Sequence, residues 1–156
     1  MRFIRYKYYL WYFGCFKIPL IGYLRPRLVH CCQDKVVFKI PLTRRSRNHL
    51  HSMYFGAFAV GADLAGGFQC FSYVREKKLT ASMVFKSFQA QFLQRPESDV
   101  YFVCEQGKAI RCLVDEASKS KERLSQPINI KAYIHYPGQP ELVADFALEL
   151  SIKVRS

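Results

Sequence analysis

Residues Met53–Tyr73, "MYFGAFAVGADLAGGFQCFSY", run for 21 positions with a single charged side chain, Asp63, and no proline. A stretch this long and this rich in glycine and alanine does not suit a strand, so it reads as a helix. Its four internal glycines, Gly56, Gly61, Gly66 and Gly67, each cost about 1 kcal/mol relative to alanine. A helix that carries them is held by tight packing on all sides, with other groups close to its backbone. The rest of the chain must therefore supply a shell around it.

The flanking sequence offers strands for that shell. In "KVVFKIPL", Val36, Phe38, Ile40 and Leu42 alternate with Lys35, Lys39 and Pro41, the period of a half-buried strand. "RLVHCCQD" before it is a partner strand with poor alternation. After the basic turn "REKK", "SMVFKSFQAQFLQ" puts Val84, Phe88, Ala90 and Phe92 on one face. "DVYFVCEQ" follows the turn at Pro96–Ser98. "INIKAYIHY" alternates Ile128, Ile130, Ala132 and Ile134, and "ELVADFALELSIKV" does so from Leu142 to Val154. The turn "PGQP" makes these last two a hairpin. Between the pairs, "GKAIRCLVDEASKSKERL" places Ile110, Leu113, Val114 and Ala117 at helical spacing, which predicts a surface helix. The expected order is helix, two strands, buried helix, two strands, surface helix, two strands. This is an α+β fold in which a curved antiparallel sheet wraps a long central helix.

The 156 residues suffice for one domain with a real core. We divide them into an amphipathic aromatic and basic helical segment, 1–27, and a single folded domain, 28–156. The segment's apolar run Tyr8–Phe16 is too short to span a bilayer, and no small-residue cleavage site follows it. It can pack on the domain or lie on a membrane surface, with packing favoured. Eleven Lys/Arg against one acid in residues 1–47 give that third a charge of +10, of +12 overall. This basicity suits an anionic partner or a solvated face. The six cysteines match neither a disulfide framework nor a zinc site. They read as reduced, mostly buried thiols of a cytoplasmic protein. No metal and no cofactor is expected.

Asp63 is the residue that points to chemistry. No ionisable base lies between His51 and Arg75 to pair with it locally. Burial should raise its pKa, as in a general base or nucleophile; the alternatives are a partner from elsewhere in the fold, a capping role or access to solvent. If the helix starts near Ser52, the unpaired amides around Tyr54–Gly56 can receive an oxyanion, and Gly56 admits a ligand close to the backbone. Asn48 upstream can hold a water or a carbonyl, or organise the turn. Ser52 lacks a G-x-S-x-G elbow and reads as a helix cap.

The pattern of Asn48, "SMYFG" opening a Gly/Ala-rich helix, and Asp63 resembles the hotdog-fold acyl-CoA thioesterase superfamily, in an uncharacterised thioesterase-like branch. The phenylacetate-pathway type has an Asn, a His-Gly-Gly six residues on and an acidic residue nine further. Here Asn48 to Tyr54 is six and Tyr54 to Asp63 is nine, with Gly56 at the second glycine. Tyr54 and Phe55 stand in place of the His and the first glycine. The resemblance implies a homodimer, extendable to a tetramer, with the site in the dimer interface. It implies Asp63, Asn48 and Gly56 as catalytic residues, and an acyl-CoA or acyl-carrier substrate beside Tyr54 and Phe55. Arg44, Arg45, Arg47 and His51 would meet that substrate, the arginines through its phosphates.

A second reading is a non-catalytic acyl-CoA or acyl-carrier binder on the same fold. Hydratase chemistry ranks lower, because no His follows Asp63 within the helix. No nucleic-acid partner is expected, since the N-terminal aromatics lack an RNP-like pattern.

Overall fold

Helix α3 (Phe55–Glu76) is the axis of the molecule, and the other elements are arranged around it. The structure, a computed structural model, describes residues 2–155. Along the chain α3 is preceded by α1 (Arg2–Tyr12), a π-helical turn (Phe13–Lys17), α2 (Pro19–Leu24), β1 (Arg27–Cys31) and β2 (Val36–Ile40). It is followed by β3 (Thr80–Phe92), β4 (Val100–Cys104), α4 (Gly107–Ser120), β5 (Arg123–Ile134) and β6 (Glu141–Arg155). The strands form one six-stranded antiparallel sheet in the order β1-β2-β4-β5-β6-β3. Helix α3 packs against β2, β3, β4, β5 and β6, so the sheet does wrap the helix.

The glycines permit this wrapping. A Cβ on Gly61 would collide with the Phe102 ring, and one on Gly66 would stand 2.8 Å from the Ile128 side chain. Phe58, Phe102 and Phe146 pack as a triad with ring centroids 5.9–6.2 Å apart. Helix α4 buries Ile110, Leu113, Val114 and Ala117, and Tyr73 ties it to α3 through a 3.0 Å hydrogen bond donated to Asp115.

Several sequence expectations need correction. Helix α3 starts at Phe55, two residues later than expected, and continues into the "REKK" segment. Helix α4 stops at Ser120, and Arg123–Leu124 belong to β5. The N-terminal helical segment is a hairpin, broken at Ile18 between the π-helical turn and α2. The α1 side folds back on α2 where Gly14 and Gly22 cross, and the Cβ of any residue at 14 would lie 2.8 Å from the Gly22 Cα. Val84 is not on the inner face of β3. Phe85 pairs with Leu150 and Phe88 with Leu148, so Lys86 and Ser87 together bulge out of register. Met83, Phe85, Phe88, Ala90 and Phe92 therefore share the inner face, and Val84 turns outward. A similar irregularity between Leu28 and His30 explains the poor alternation of β1. Only Cys70 and Cys104 are buried; Cys15, Cys32 and Cys112 are exposed. Cys112 sits on the solvent face of amphipathic α4, and Cys32 lies in the turn after β1.

The two edges of the sheet differ. β1 is five residues long and lies against α1. β3 is 13 residues long, and its outer edge has no strand partner among the described residues.

Candidate functional site

The segment before α3 is a compact polar turn built on two side chains. Ser46 is buried, donates to the Pro41 carbonyl at 2.6 Å and accepts from the Thr43 N–H at 2.9 Å. Asn48 Oδ1 accepts from the N–H of Leu50 (2.9 Å) and from both the N–H and the hydroxyl of Ser52 (3.2 Å each). Asn48 thus organises the turn, and its side-chain NH2 makes no hydrogen bond among the described residues. Ser52 is buried and spends its hydroxyl on Asn48, so it is not the helix cap. The N-cap is Tyr54, extended at φ −69° and ψ 138°, with no side-chain cap.

That uncapped start leaves two donors. The Tyr54 carbonyl accepts from the N–H of Ala57 (2.9 Å) and Phe58 (3.3 Å). The N–H groups of Phe55 and Gly56 find no acceptor among the described residues. They stand at the positive end of a 22-residue helix, where an anion is favoured. A cavity of about 540 Å³ opens here, lined by Asn48, Tyr54, Phe55, Phe58, Phe92 and Arg95 among others. The Tyr54 ring lies over Gly56, such that a Cβ at position 56 would come within 2.6 Å of it. Gly56 therefore makes room for that ring as well as for any ligand.

Asp63 lies eight residues beyond Phe55, about 12 Å along the axis and roughly 80° round it. It is half-buried and has no hydrogen-bond or ion-pair partner among the described residues. Burial raises its carboxyl above the ordinary 3.8. It lines a different cavity, of about 460 Å³, whose walls are apolar: Leu64 and Phe71 of α3, Met83 and Phe85 of β3, Tyr9 and Phe13 of the N-terminal hairpin. The residue is neither capped nor paired; it faces this cavity as the lone carboxylate.

Within one chain, then, Asn48, Tyr54, Phe55 and Gly56 come together, and Asp63 stands apart from them. Arg44, Arg45 and Arg47 are exposed around the turn and line neither cavity. Arg45 stacks over the Tyr23 ring at 5.2 Å, and Arg47 bridges to Met53. His51 is exposed with φ 62°, while His49 lines the helix-mouth cavity. Sequence reasoning missed Phe92, Leu93 and Arg95 as cavity walls. Phe92 ends β3, and the loop after it brings Leu93 and Arg95 there, because the Pro96 carbonyl accepts from the Met53 N–H at 3.0 Å. A buried proline after a basic residue carries no local signal of that contact.

The family model described as "Domain of unknown function (DUF4442)" matches residues 8–136, and the chain belongs to that family. No curated protein matches the chain. Among solved structures, a Chlorobaculum tepidum TLS protein of unknown function superimposes with a TM-score of 0.80 at 12% identity, covering 97% of this chain and 95% of that one. A Pseudomonas aeruginosa protein named a probable thioesterase gives 0.75 at 19% identity, with 96% of each chain covered. A thioesterase of Haemophilus influenzae gives 0.66 at 14%, covering 90% and 85%. At these identities the likeness establishes the fold, which is the hotdog fold.

Proposed function

We propose that this member of the DUF4442 family is a thioesterase that acts on an acyl-CoA or acyl-carrier thioester at a site formed between two copies of the chain. The observation that carries the reading is the pair of free amides, Phe55 and Gly56, at the mouth of the same helix that holds an unpartnered carboxylate. Its two halves are about 12 Å apart in one chain, so a second copy is needed to face one with the other. The bare 13-residue edge of β3 is the natural seam, since an unpaired strand edge is a template for another strand. Phe88, Phe92 and Leu93 are each 44–50% exposed along it. The named thioesterases of the same fold support the reaction class.

In the proposed step the Asp63 carboxylate takes a proton from water as its oxygen bonds to the thioester carbonyl carbon. The carbonyl oxygen becomes an oxyanion held by the Phe55 and Gly56 N–H groups. The intermediate collapses with cleavage of the C–S bond, and the departing thiolate takes the proton back from Asp63. The products are a carboxylic acid and a free thiol. A raised carboxyl pKa serves both proton transfers; direct attack by Asp63 on the carbonyl is the variant of this scheme. The NH2 of Asn48 orients water or carbonyl, and the arginines of the 44–47 turn meet substrate phosphates as the approach is made. Free cysteines suit a cytoplasmic setting. A panel of acyl-CoAs from acetyl to palmitoyl, assayed for thiol release, tests the reading; absence of turnover on every member, and on acyl-carrier thioesters, would overturn it.

The Tyr54 ring over Gly56 favours the second reading, a binder without turnover. It predicts calorimetric binding of a non-hydrolysable acyl-CoA thioether with no hydrolysis of the matching thioester.

A further inference from the structure

The N-terminal hairpin has two faces. Its inner face packs Tyr6 on Phe68 and Phe13 on Phe71, with ring centroids 5.6 and 4.6 Å apart. Its outer face is a ladder of exposed rings. Tyr8 meets Trp11 at 5.7 Å, Trp11 meets Phe16 at 5.8 Å, and Phe16 meets Tyr12 at 5.6 Å. Ile4, 74% exposed, continues the row one turn back on α1, and Phe16 is 66% exposed. Rings this exposed are not needed for the core, which the inner face already completes.

Beside Trp11 lies a groove of about 820 Å³. Its charged lining side chains are Lys7, Arg25, Arg27 and Lys39, and no carboxylate is among them in the described residues. Lys39 is held by Asp99 at 2.6 Å, but Arg25 and Arg27 have no ion-pair partner among the described residues. Arg5 is turned inward to Glu76. The cations left outward therefore border the exposed rings on one side of the molecule, in the third of the chain that holds +10 of its +12 charge.

We propose that this face docks on an anionic phospholipid surface, with Trp11 and Phe16 entering the interfacial layer and the Arg25–Arg27 side of the groove receiving lipid phosphate. Aromatic rings bordered by cations are the composition that the interfacial zone of a bilayer accepts. Charge selects this occupant over a second copy of the chain, because two copies of so basic a face repel one another. Packing on the domain and lying on a membrane are thus compatible: each uses a different face of the same hairpin. No helix in the described residues is long and apolar enough to cross a membrane, so the contact is peripheral.

Trp11 is the one tryptophan of the chain, which makes its fluorescence a direct reporter. With vesicles of phosphatidylcholine and phosphatidylglycerol we expect a blue shift, protection from acrylamide and co-sedimentation, all weakened by salt. Vesicles of phosphatidylcholine alone should give none of these. The Arg25→Ser, Arg27→Ser double variant should bind about 25-fold more weakly, at about fivefold per cation. Phe16→Ser should weaken binding about tenfold with an unchanged circular dichroism spectrum. Failure to bind either vesicle overturns the proposal, and so does equal binding to both. Trp11 emission already shielded without lipid, with a mass that grows with concentration, would assign the face to self-association and overturn it too.

Discussion

The first and third turns of α3 present opposite chemistry within one helix. At the first, two backbone N–H groups are bare and no side chain caps them, so the surroundings are electropositive and partly polar. At the third, Asp63 is an acid in an apolar wall, its charged form disfavoured by lost solvation. In the proposed thioesterase each turn supplies one half of the site, and each carries an energetic liability alone: unsatisfied donors in one case, a poorly solvated carboxylate in the other. Liabilities of this kind are retained at functional sites. That contrast is what the following experiments break or sharpen.

The largest effect is expected from Asp63→Asn, which keeps shape and removes the base. Activity in kcat should fall by about 10²–10⁴-fold, and full activity across the acyl-CoA panel would remove Asp63 from the mechanism. In the wild type, activity should rise with pH through a midpoint above the ordinary 3.8, since the carboxylate is the working form. Stability should move the other way. A carboxyl whose folded pKa is raised holds its proton more tightly when folded, so folding weakens as pH climbs from the unfolded value through the folded one. Asp63→Asn abolishes that loss, and its Tm at neutral pH should exceed that of wild type in calorimetry. First-turn substitutions should show no such pH-linked gain.

Mixing asks whether the two halves belong to one chain or two. Asn48→Ala and Asp63→Asn copies, each inactive alone, should regain about a quarter of wild-type activity on subunit exchange. Half of the dimers are then mixed, and each mixed dimer holds one site with both native residues. A site contained in one chain would regain nothing.

The distribution of what could be read in advance follows from where the constraints lie. The glycines of α3 encode the close approach of Phe102 and of the Ile128 and Ile130 side chains, and the period-2 runs of β2, β5 and β6 encode their pairing, so the wrapped sheet was legible. The bulge at Lys86–Ser87 was not, since two polar residues in a row read as an ordinary solvent face. Asp63 stood out because a lone acid in an apolar helix is costly wherever it lies. The roles of Ser46 and Pro96 were hidden because they act through long-range backbone bonds, to Pro41 and Met53, that leave no periodic trace. Arg44, Arg45 and Arg47 were legible as a basic cluster but not as to direction, which the stacking of Arg45 on Tyr23 sets.

A smaller contrast lies in the glycines between and beside the two turns. Gly61→Ala drives a Cβ into the fully buried Phe102 ring and should cost about 1–3 kcal/mol by overpacking. At about 2–4 °C per kcal/mol for a chain of this size, calorimetry resolves it. Gly67→Ala, whose Cβ would stand 3.3 Å from the flexible end of Met83 at the Asp63 cavity, should cost less than half as much, because the Met83 methyl can give way where the buried Phe102 ring cannot. Equal losses at both positions would mean that the Asp63 cavity is as tightly filled as the core.

The smallest effect concerns the seam that would bring the two turns together. In an antiparallel pairing of two β3 edges about a two-fold axis, each residue of one copy faces the residue of the other that lies equally far beyond the axis. Gln89 and Gln91 are exposed and lie on the outer face of β3, away from both cavities. Gln89→Lys with Gln91→Lys places like charges along the seam, at about 0.2–1 kcal/mol for each opposed pair. The dimer constant measured by sedimentation should weaken a fewfold, by up to about 30-fold if two pairs oppose at the full value. Activity should fall in parallel on dilution and recover at high concentration, because the catalytic groups themselves are untouched. Loss of activity without a change in association would place the Asp63 turn and the Phe55–Gly56 turn in contact by some other route than β3.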